Sequence, residues 1–174
     1  MAMAENQEKN MVSNDKQDKL LIEMCIKHLT QYAAMIKIDR GTQGDESIGR
    51  LKKMIGEMEA YWDLSERKDR EEQFDKTLRR AVQTGRANWV SEKQKIATVN
   101  GLYRYASEMI FVQGMEAIDR VKEVQSVIRE LADGWGMDKE WVDQLCAFIG
   151  VMEEYKEQRT PEMGEDSRFF KDIS

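Results

Sequence analysis

The sequence contains one proline and one histidine, and it has no long run of apolar residues. The proline, Pro161, lies near the C-terminus, so the 160 residues before it can form long helices without a forced break. No apolar run approaches the roughly 20 residues that a membrane-spanning helix needs, and the first residues lack the apolar core of a secretion signal. These absences predict a helix-rich chain with no membrane partner.

The single histidine, His28, excludes every site that needs two imidazoles, including a helical HExxH zinc site. No glutamate stands three residues before it, so the ExxH half-motif of di-iron bundles is absent as well. The phosphate-binding pattern GxxxxGK is also missing. We therefore expect no metal site and no cofactor, and we expect His28 to lie on a helix surface.

The two cysteines, Cys25 and Cys146, are too few to form a disulfide framework. Both lie at positions that should face the core of their helices, so we predict buried free thiols in a reducing compartment, the cytoplasm. Cys25 lies one helical turn from His28, but a nucleophilic pair would also need an oxyanion site and a cleft, which nothing in the sequence indicates.

Apolar residues recur at alternating spacings of three and four along most of the chain. This period of 3.5 predicts an all-α fold, an antiparallel bundle of about five helices with coiled-coil-like packing. The predicted core stripes are Ile22, Cys25, Leu29, Tyr32 and Ile36; Ile48, Leu51, Ile55, Met58 and Trp62; Phe74, Leu78, Ala81 and Val82; Ile96, Val99, Tyr103, Ala106 and Ile110, continued by Ala117, Val121, Val124, Ile128 and Leu131; and Trp141, Leu145, Phe148, Met152 and Tyr155.

Capping residues and glycines predict where these helices begin and end. The predicted starts are Ser13, Asn14 or Asp15 for the first helix, and then Asp45, Ser65, Ser91 and Asp138. Gly85 is a predicted end, Gly114 marks a kink or a tight crossing, and Asn100-Gly101 stays within a helix because the apolar period continues through it. The resulting organisation is a flexible segment 1–12, a helical bundle domain 13–159 and a tail 160–174.

Residues 76–95, hereafter the basic region, differ in charge from the rest of the chain. They carry six cations and one anion, Glu92, whereas residues 107–174 carry 16 acidic and 8 basic side chains, and the net charge of the chain is −6. The candidate binding residues are Lys76, Arg79, Arg80, Arg86, Trp89, Lys93 and Lys95. Cations neutralise phosphates and an indole stacks on an unpaired base, so the region fits single-stranded RNA or DNA. It equally fits an acidic surface of another protein, of this chain or of a second copy.

Two carboxylate motifs offer a catalytic alternative, EExxE at residues 153–157 and EExxD at residues 71–75. Two such motifs on neighbouring helices hold Mg²⁺ in all-α nucleotide pyrophosphohydrolases. Both lie in charged stretches that are typical of solvated helix faces. A Mg²⁺-dependent nucleotide hydrolase is therefore only the third alternative.

Aromatic residues outside the core are the remaining interface candidates. Trp62 and Trp141 fall on core stripes, whereas Trp89 and Trp135 fall in predicted connections. In the tail, three apolar residues predict either a docking motif for a partner or a strap onto the body: Phe169, Phe170 and Ile173.

Taken together, these features favour a non-catalytic helical interaction protein, such as an adaptor, inhibitor or assembly subunit, that docks onto another protein. A small helical subunit that binds single-stranded RNA or DNA through residues 76–95 is the alternative. The long stripe from Ile110 to Leu131, with Ile118 and Val127 beside it, also predicts a homo-oligomer, because one helix with so much apolar surface needs more than its own chain to cover it.

Overall fold

The computed structural model describes the backbone of residues 2–64 and 67–157 and the side chains of residues 16–64, 69–152 and 154. The described residues form six α-helices and no strand: α1 (Ala2–Arg40), α2 (Asp45–Tyr61), α3 (Arg67–Thr84), α4 (Glu92–Gln113), α5 (Ile118–Trp135) and α6 (Lys139–Glu157). Two 3₁₀ turns, Gly41–Gly44 and Gly114–Ala117, join helices into four continuous helical stretches. The all-α prediction is confirmed. Within these ranges, no helix combines the length and apolar character that crossing a bilayer requires.

The helix count differs from the predicted five because the long helix that starts near Ser91 is two helices. Gly114 has a φ of +60°, in the left-handed region that side chains other than glycine rarely adopt, and the chain turns there before α5 begins. The predicted kink at Gly114 is therefore a helix boundary. Gly101, by contrast, lies inside α4, as the continuous apolar period predicts.

Three predicted helix ends are confirmed, two by capping hydrogen bonds and one by backbone geometry. At the start of α4, Ser91 and Gln94 form a capping box, in which the Gln94 N–H donates to Ser91 Oγ (3.2 Å) and the Ser91 N–H donates to Gln94 Oε1 (2.9 Å). At the start of α6, Asp138 Oδ1 accepts a hydrogen bond from the Glu140 N–H at 3.0 Å. Gly85 follows the last residue of α3 with a φ of +67°.

Two other predicted starts are wrong. The first helix begins at Ala2, before the predicted caps at 13–15, because residues 2–12 are mostly good helix formers without proline or glycine. Asp45 is the first residue of α2 and not its cap, and it accepts a hydrogen bond from Lys37 Nζ at 2.8 Å. The predicted cap Ser65 lies outside the described residues.

The chain divides into two compact units, Met1–Gly101 (unit 1) and Leu102–Ser174 (unit 2), and the boundary falls within α4. In unit 1, α1 packs against α2 and α3, and α2 also contacts α3. The stripes predicted for α1 and α2 are buried, as expected: Ile22, Cys25, Leu29, Tyr32, Ile36, Ile48, Leu51, Ile55, Met58 and Trp62. In α3, Phe74 and Ala81 are buried but Val82 is exposed, so the thin stripe is correct only in part.

The first half of α4 belongs to unit 1 and meets α1 at Cys25. The Cys25 thiol donates to the Thr98 carbonyl at 3.5 Å, and Gly101 lies so close to Cys25 that a Cβ at position 101 would collide with Sγ. Glycine permits this crossing because it has no side chain. The face of α4 that meets α1 carries Thr98 and Gly101, which explains why Ile96, predicted in the core, is exposed.

In unit 2, α5 packs against α6. The stripe predicted for α5 is buried, as expected: Val121, Val124, Ile128 and Leu131. The stripe predicted for α6 is wrong. Phe148 is 60% exposed, and the buried side chains are Val142, Cys146 and Ile149, one position further along the helix than Trp141, Leu145 and Phe148.

Candidate partner-binding surface

The basic region spans the second half of α3, the connection to α4 and the first turn of α4. Six of its candidate residues are exposed: Lys76, Arg79, Arg80, Arg86, Trp89 and Lys93. Lys76, Arg79 and Arg80 share one face of α3, because residues three and four positions apart are neighbours on a helix. Lys95 differs from them. It is half-buried, and its Nζ lies 3.0 Å from Glu92 Oε1, so its charge already has a partner.

Trp89 is the most exposed large apolar side chain among the described residues, at 83%. The next residue, Val90, is buried, so the connection is attached to unit 1 while the indole faces solvent. An indole offers a large apolar area with few rotatable bonds, which suits it to contact a partner.

Two of the predicted cations, Arg80 and Arg86, are brought together by the fold. They line an open groove on unit 1 with five neutral residues: Gln31, Thr77, Ala81, Thr84 and Asn88. The residues that line this groove include no carboxylate, so nothing in its wall neutralises the two guanidinium groups. The sequence indicated only the two arginines. Gln31 belongs to α1, and a neutral residue so far away in the chain gives no signal that it joins a basic groove.

The groove depends on how α3 ends. Gly85 takes the left-handed conformation, so the chain reverses after α3 and Arg86 returns to the groove beside Arg80. The Thr84 hydroxyl donates to the Arg80 carbonyl at 2.9 Å, which closes the last turn of the helix. The Asn88 N–H donates to Gln31 Oε1 at 3.0 Å, which attaches the connection to α1. These bonds hold the wall of the groove in place before any ligand arrives.

The exposed cations of the basic region have no ion-pair partner among the described residues of unit 1. These cations are Lys76, Arg79, Arg80, Arg86 and Lys93. Some other cations of unit 1 differ in this respect. Arg70 donates to Glu23 at 2.6 Å, and Lys52 donates to Asp75 at 3.0 Å. The positive charge of the basic region is therefore available to a ligand.

The prediction that His28 lies on a helix surface is wrong, because the imidazole is buried between α1 and α4. Its Nδ1 lies 2.9 Å from Thr98 Oγ1, and that hydroxyl donates to the Gln94 carbonyl at 2.7 Å. Nδ1 and the Thr98 hydroxyl form a hydrogen bond whose donor depends on the tautomer of the imidazole. Burial, and then the charge of Lys27, lower the pKa of His28.

We expect acid to destabilise the protein through His28. The folded state holds the imidazole neutral at pH values where the unfolded chain, with the usual histidine pKa of about 6.5, already binds a proton. Protonation of His28 therefore does not reduce the free energy of unfolding above about pH 6.5. Below that pH the free energy of unfolding falls, until the pH reaches the lowered pKa of the folded state. Thermal unfolding of the wild type and His28→Gln between about pH 5 and 8 measures this. A wild-type melting temperature that changes no more than that of the variant contradicts the prediction.

Cys25 and His28 each bond to Thr98 of α4, Cys25 to its carbonyl and His28 to its hydroxyl. The Cys25 thiol donates to the Thr98 carbonyl, and burial raises its pKa to about 12, so the thiolate is disfavoured. Cys146 is also buried, and burial raises the pKa of its thiol. Both cysteines are free, as predicted.

The carboxylate motifs have different surroundings. In EExxD, Glu71 and Asp75 lie 3.5 Å and 3.0 Å from Lys52 Nζ on α2, so these carboxylates pair with an ammonium group. The hydrogen bond to Asp75 raises the pKa of Lys52. In EExxE, the side chains of Glu153 and Glu157 lie outside the described residues. No group of carboxylate, histidine or cysteine side chains able to hold a metal occurs in the part of the chain that the structure describes.

The other aromatic candidates are less exposed than Trp89. Trp62 is buried in unit 1, as predicted, whereas Trp141 and Trp135 are half-buried in unit 2. The tail candidates Phe169, Phe170 and Ile173 lie outside the described residues.

No protein-family model matches this chain, and comparison with curated proteins and with solved structures gave no significant match.

Proposed function

We propose that this chain is a non-catalytic helical interaction protein that docks onto another protein through the basic region. The observation that carries the proposal is the exposed indole of Trp89 in the same stretch of chain as exposed cations that have no ion-pair partner among the described residues. Tryptophan and arginine are the residues on which binding energy concentrates in protein interfaces. An adaptor, an inhibitor and an assembly subunit would all use such a surface.

We expect Trp89→Ala to weaken partner binding by about tenfold or more, since removing a central indole from an interface costs about 2 kcal/mol or more. Affinity capture from the native host identifies the partner, and titration of the purified pair then gives the affinity of each variant. The matched control is Leu20→Ala, which removes another exposed apolar side chain, 60% exposed, from α1 outside the basic region. Equal affinities of wild type and Trp89→Ala for the captured partner contradict the proposal.

The same indole and cations support a second candidate, binding of single-stranded RNA or DNA. Two observations rank it below protein docking. Trp89 is the only aromatic residue in 76–95, whereas a single strand is usually bound along several stacking platforms, and the net charge of the chain is −6. Titration with a labelled oligonucleotide decides, because a phosphate-binding surface must bind at low salt.

We further infer that the protein works in the cytoplasm, which two buried free thiols support.

A second copy of the chain is proposed as an additional partner. Exposed apolar side chains of unit 2 support a homo-oligomer: Phe111, Val112, Phe148 and Val151. The mass of the purified protein in solution tests the oligomer.

We also propose that the helices pack in an antiparallel, coiled-coil-like arrangement. The apolar period of 3.5 residues in α1 and α2 supports this packing.

A further inference from the structure

We propose that the Arg80–Arg86 groove binds the carboxylates of an acidic peptide segment on the partner protein. This inference rests on the proposed function and gives the chemistry of the partner. A guanidinium group presents a planar set of N–H donors that matches the two oxygens of a carboxylate. Two such groups line this groove, one from α3 and one from the connection after it.

The rest of the lining complements the arginines. The Thr77 hydroxyl and the amides of Gln31 and Asn88 are neutral groups that bond a peptide backbone or a carboxylate. The Thr84 hydroxyl donates to the Arg80 carbonyl, so it offers a ligand only an acceptor, which suits a peptide N–H. Since no acidic residue lines the groove, an arriving carboxylate meets two cations and no repelling charge. Such a surface selects acidic side chains and rejects basic ones.

The groove is also prepared for binding. The left-handed Gly85 and the Asn88–Gln31 hydrogen bond of 3.0 Å fix the connection that carries Arg86. A ligand therefore needs to order the two arginine side chains but not the backbone that holds them, which lowers the entropy loss on binding.

A peptide fits this site better than a nucleic acid does. The groove pairs two cations, which suits a short segment with a few carboxylates, whereas a single strand needs a basic track that follows many phosphates. Trp89 lies three residues after Arg86 in the sequence and can contact an apolar residue of the same partner.

The test is a titration of the full-length protein with a fluorescently labelled oligo-glutamate peptide at low and moderate salt. We expect Arg80→Ala/Arg86→Ala to weaken binding by about tenfold or more relative to wild type. The matched control is Lys76→Ala/Arg79→Ala, which removes the same charge from exposed positions that do not line the groove. We expect the control to weaken binding only about twofold to threefold, and circular dichroism to show equal folding of both variants.

Three outcomes overturn the proposal. The first is no binding of the peptide at low salt. The second is an equal loss in the two double variants, which would mean that diffuse charge and not the groove attracts the peptide. The third is a labelled oligo-thymidylate that binds more tightly than the peptide and loses affinity in Arg80→Ala/Arg86→Ala, which would assign the groove to nucleic acid.

A conservative double variant separates the effect of the guanidinium geometry on binding from the effect of the positive charge. Arg80→Lys/Arg86→Lys keeps both charges but loses the planar donor set, so we expect an intermediate affinity for the peptide. Unchanged affinity contradicts recognition by the guanidinium groups. If the peptide does not bind but the captured partner still depends on Trp89, the proposed function stands and only the acidic-peptide inference fails.

Discussion

Ile149→Ala is expected to lower the free energy of unfolding by about 2–5 kcal/mol, whereas Phe148→Ala is expected to lower it by less than about 1 kcal/mol. The two residues are neighbours on α6, but Ile149 is fully buried and Phe148 is 60% exposed. Removing the Ile149 side chain leaves a cavity in a close-packed interior. Removing the Phe148 side chain leaves no cavity. It removes only surface contacts, such as the edge-to-face packing against Tyr103, whose ring centroid lies 6.4 Å from that of Phe148.

Chemical denaturation of the two variants and the wild type measures this difference, provided that the m-value stays constant. The comparison is sharp because periodicity alone predicts the opposite order, with Phe148 on the core stripe. A larger loss of stability in Phe148→Ala than in Ile149→Ala would show that α6 is rotated relative to the structure.

Gly101→Ala is expected to destabilise the protein by about 1–3 kcal/mol, although alanine is the better helix former. Gly101 lies in α4 where it meets α1, and an added Cβ would collide with Cys25 Sγ. The thiol cannot move aside freely, because Cys25 is buried and its Sγ bonds to the Thr98 carbonyl. Either α4 shifts away from α1 or Cys25 takes a poor rotamer, and both changes lose packing.

Two control variants isolate the collision. Gly49→Ala lies in α2, where an added Cβ meets no atom within 4 Å, and we expect it to stabilise the protein by about 0.5–1 kcal/mol. Cys25→Ala/Gly101→Ala removes Sγ, so that the nearest remaining atom to the new Cβ is the Cβ of residue 25 at 3.7 Å, an ordinary contact. The double variant should therefore be more stable than the sum of the two single effects. Strict additivity contradicts a direct collision.

The α1 and α2 stripes could be predicted from the sequence because their apolar residues keep the same spacing over four turns. Ile22 to Ile36 and Ile48 to Trp62 follow spacings of three and four, and in α1 the neighbouring apolar residues Ala33 and Ala34 are buried as well, so the prediction did not depend on a choice between faces. In α6, residues 145–149 are all apolar, so two neighbouring faces compete for the core. Periodicity favours the bulkier set, and only contact with other helices decides which set is buried.

In the basic region, too, some features could be predicted from the sequence and others depend on the fold. Charge along the chain indicated that Arg80 and Arg86 belong to a basic stretch, and this needs no structure. Their shared groove depends on the left-handed Gly85 and on Gln31, which reaches the connection from another helix. Lys95 belongs to the same stretch but pairs with Glu92, which the count of charges could not reveal.

The sequence by itself determined the all-α class, the helix boundaries at Gly85, Ser91 and Asp138, and the buried thiols. These properties follow from local rules, since periodicity, capping and the absence of proline act within a few residues. Tertiary structure alone decided that His28 is buried against Thr98, that Gly101 has no room for a side chain, and that two arginines share a groove with Gln31. Each of these depends on residues far apart in the chain, whose proximity is fixed by how the helices pack and not by any one helix.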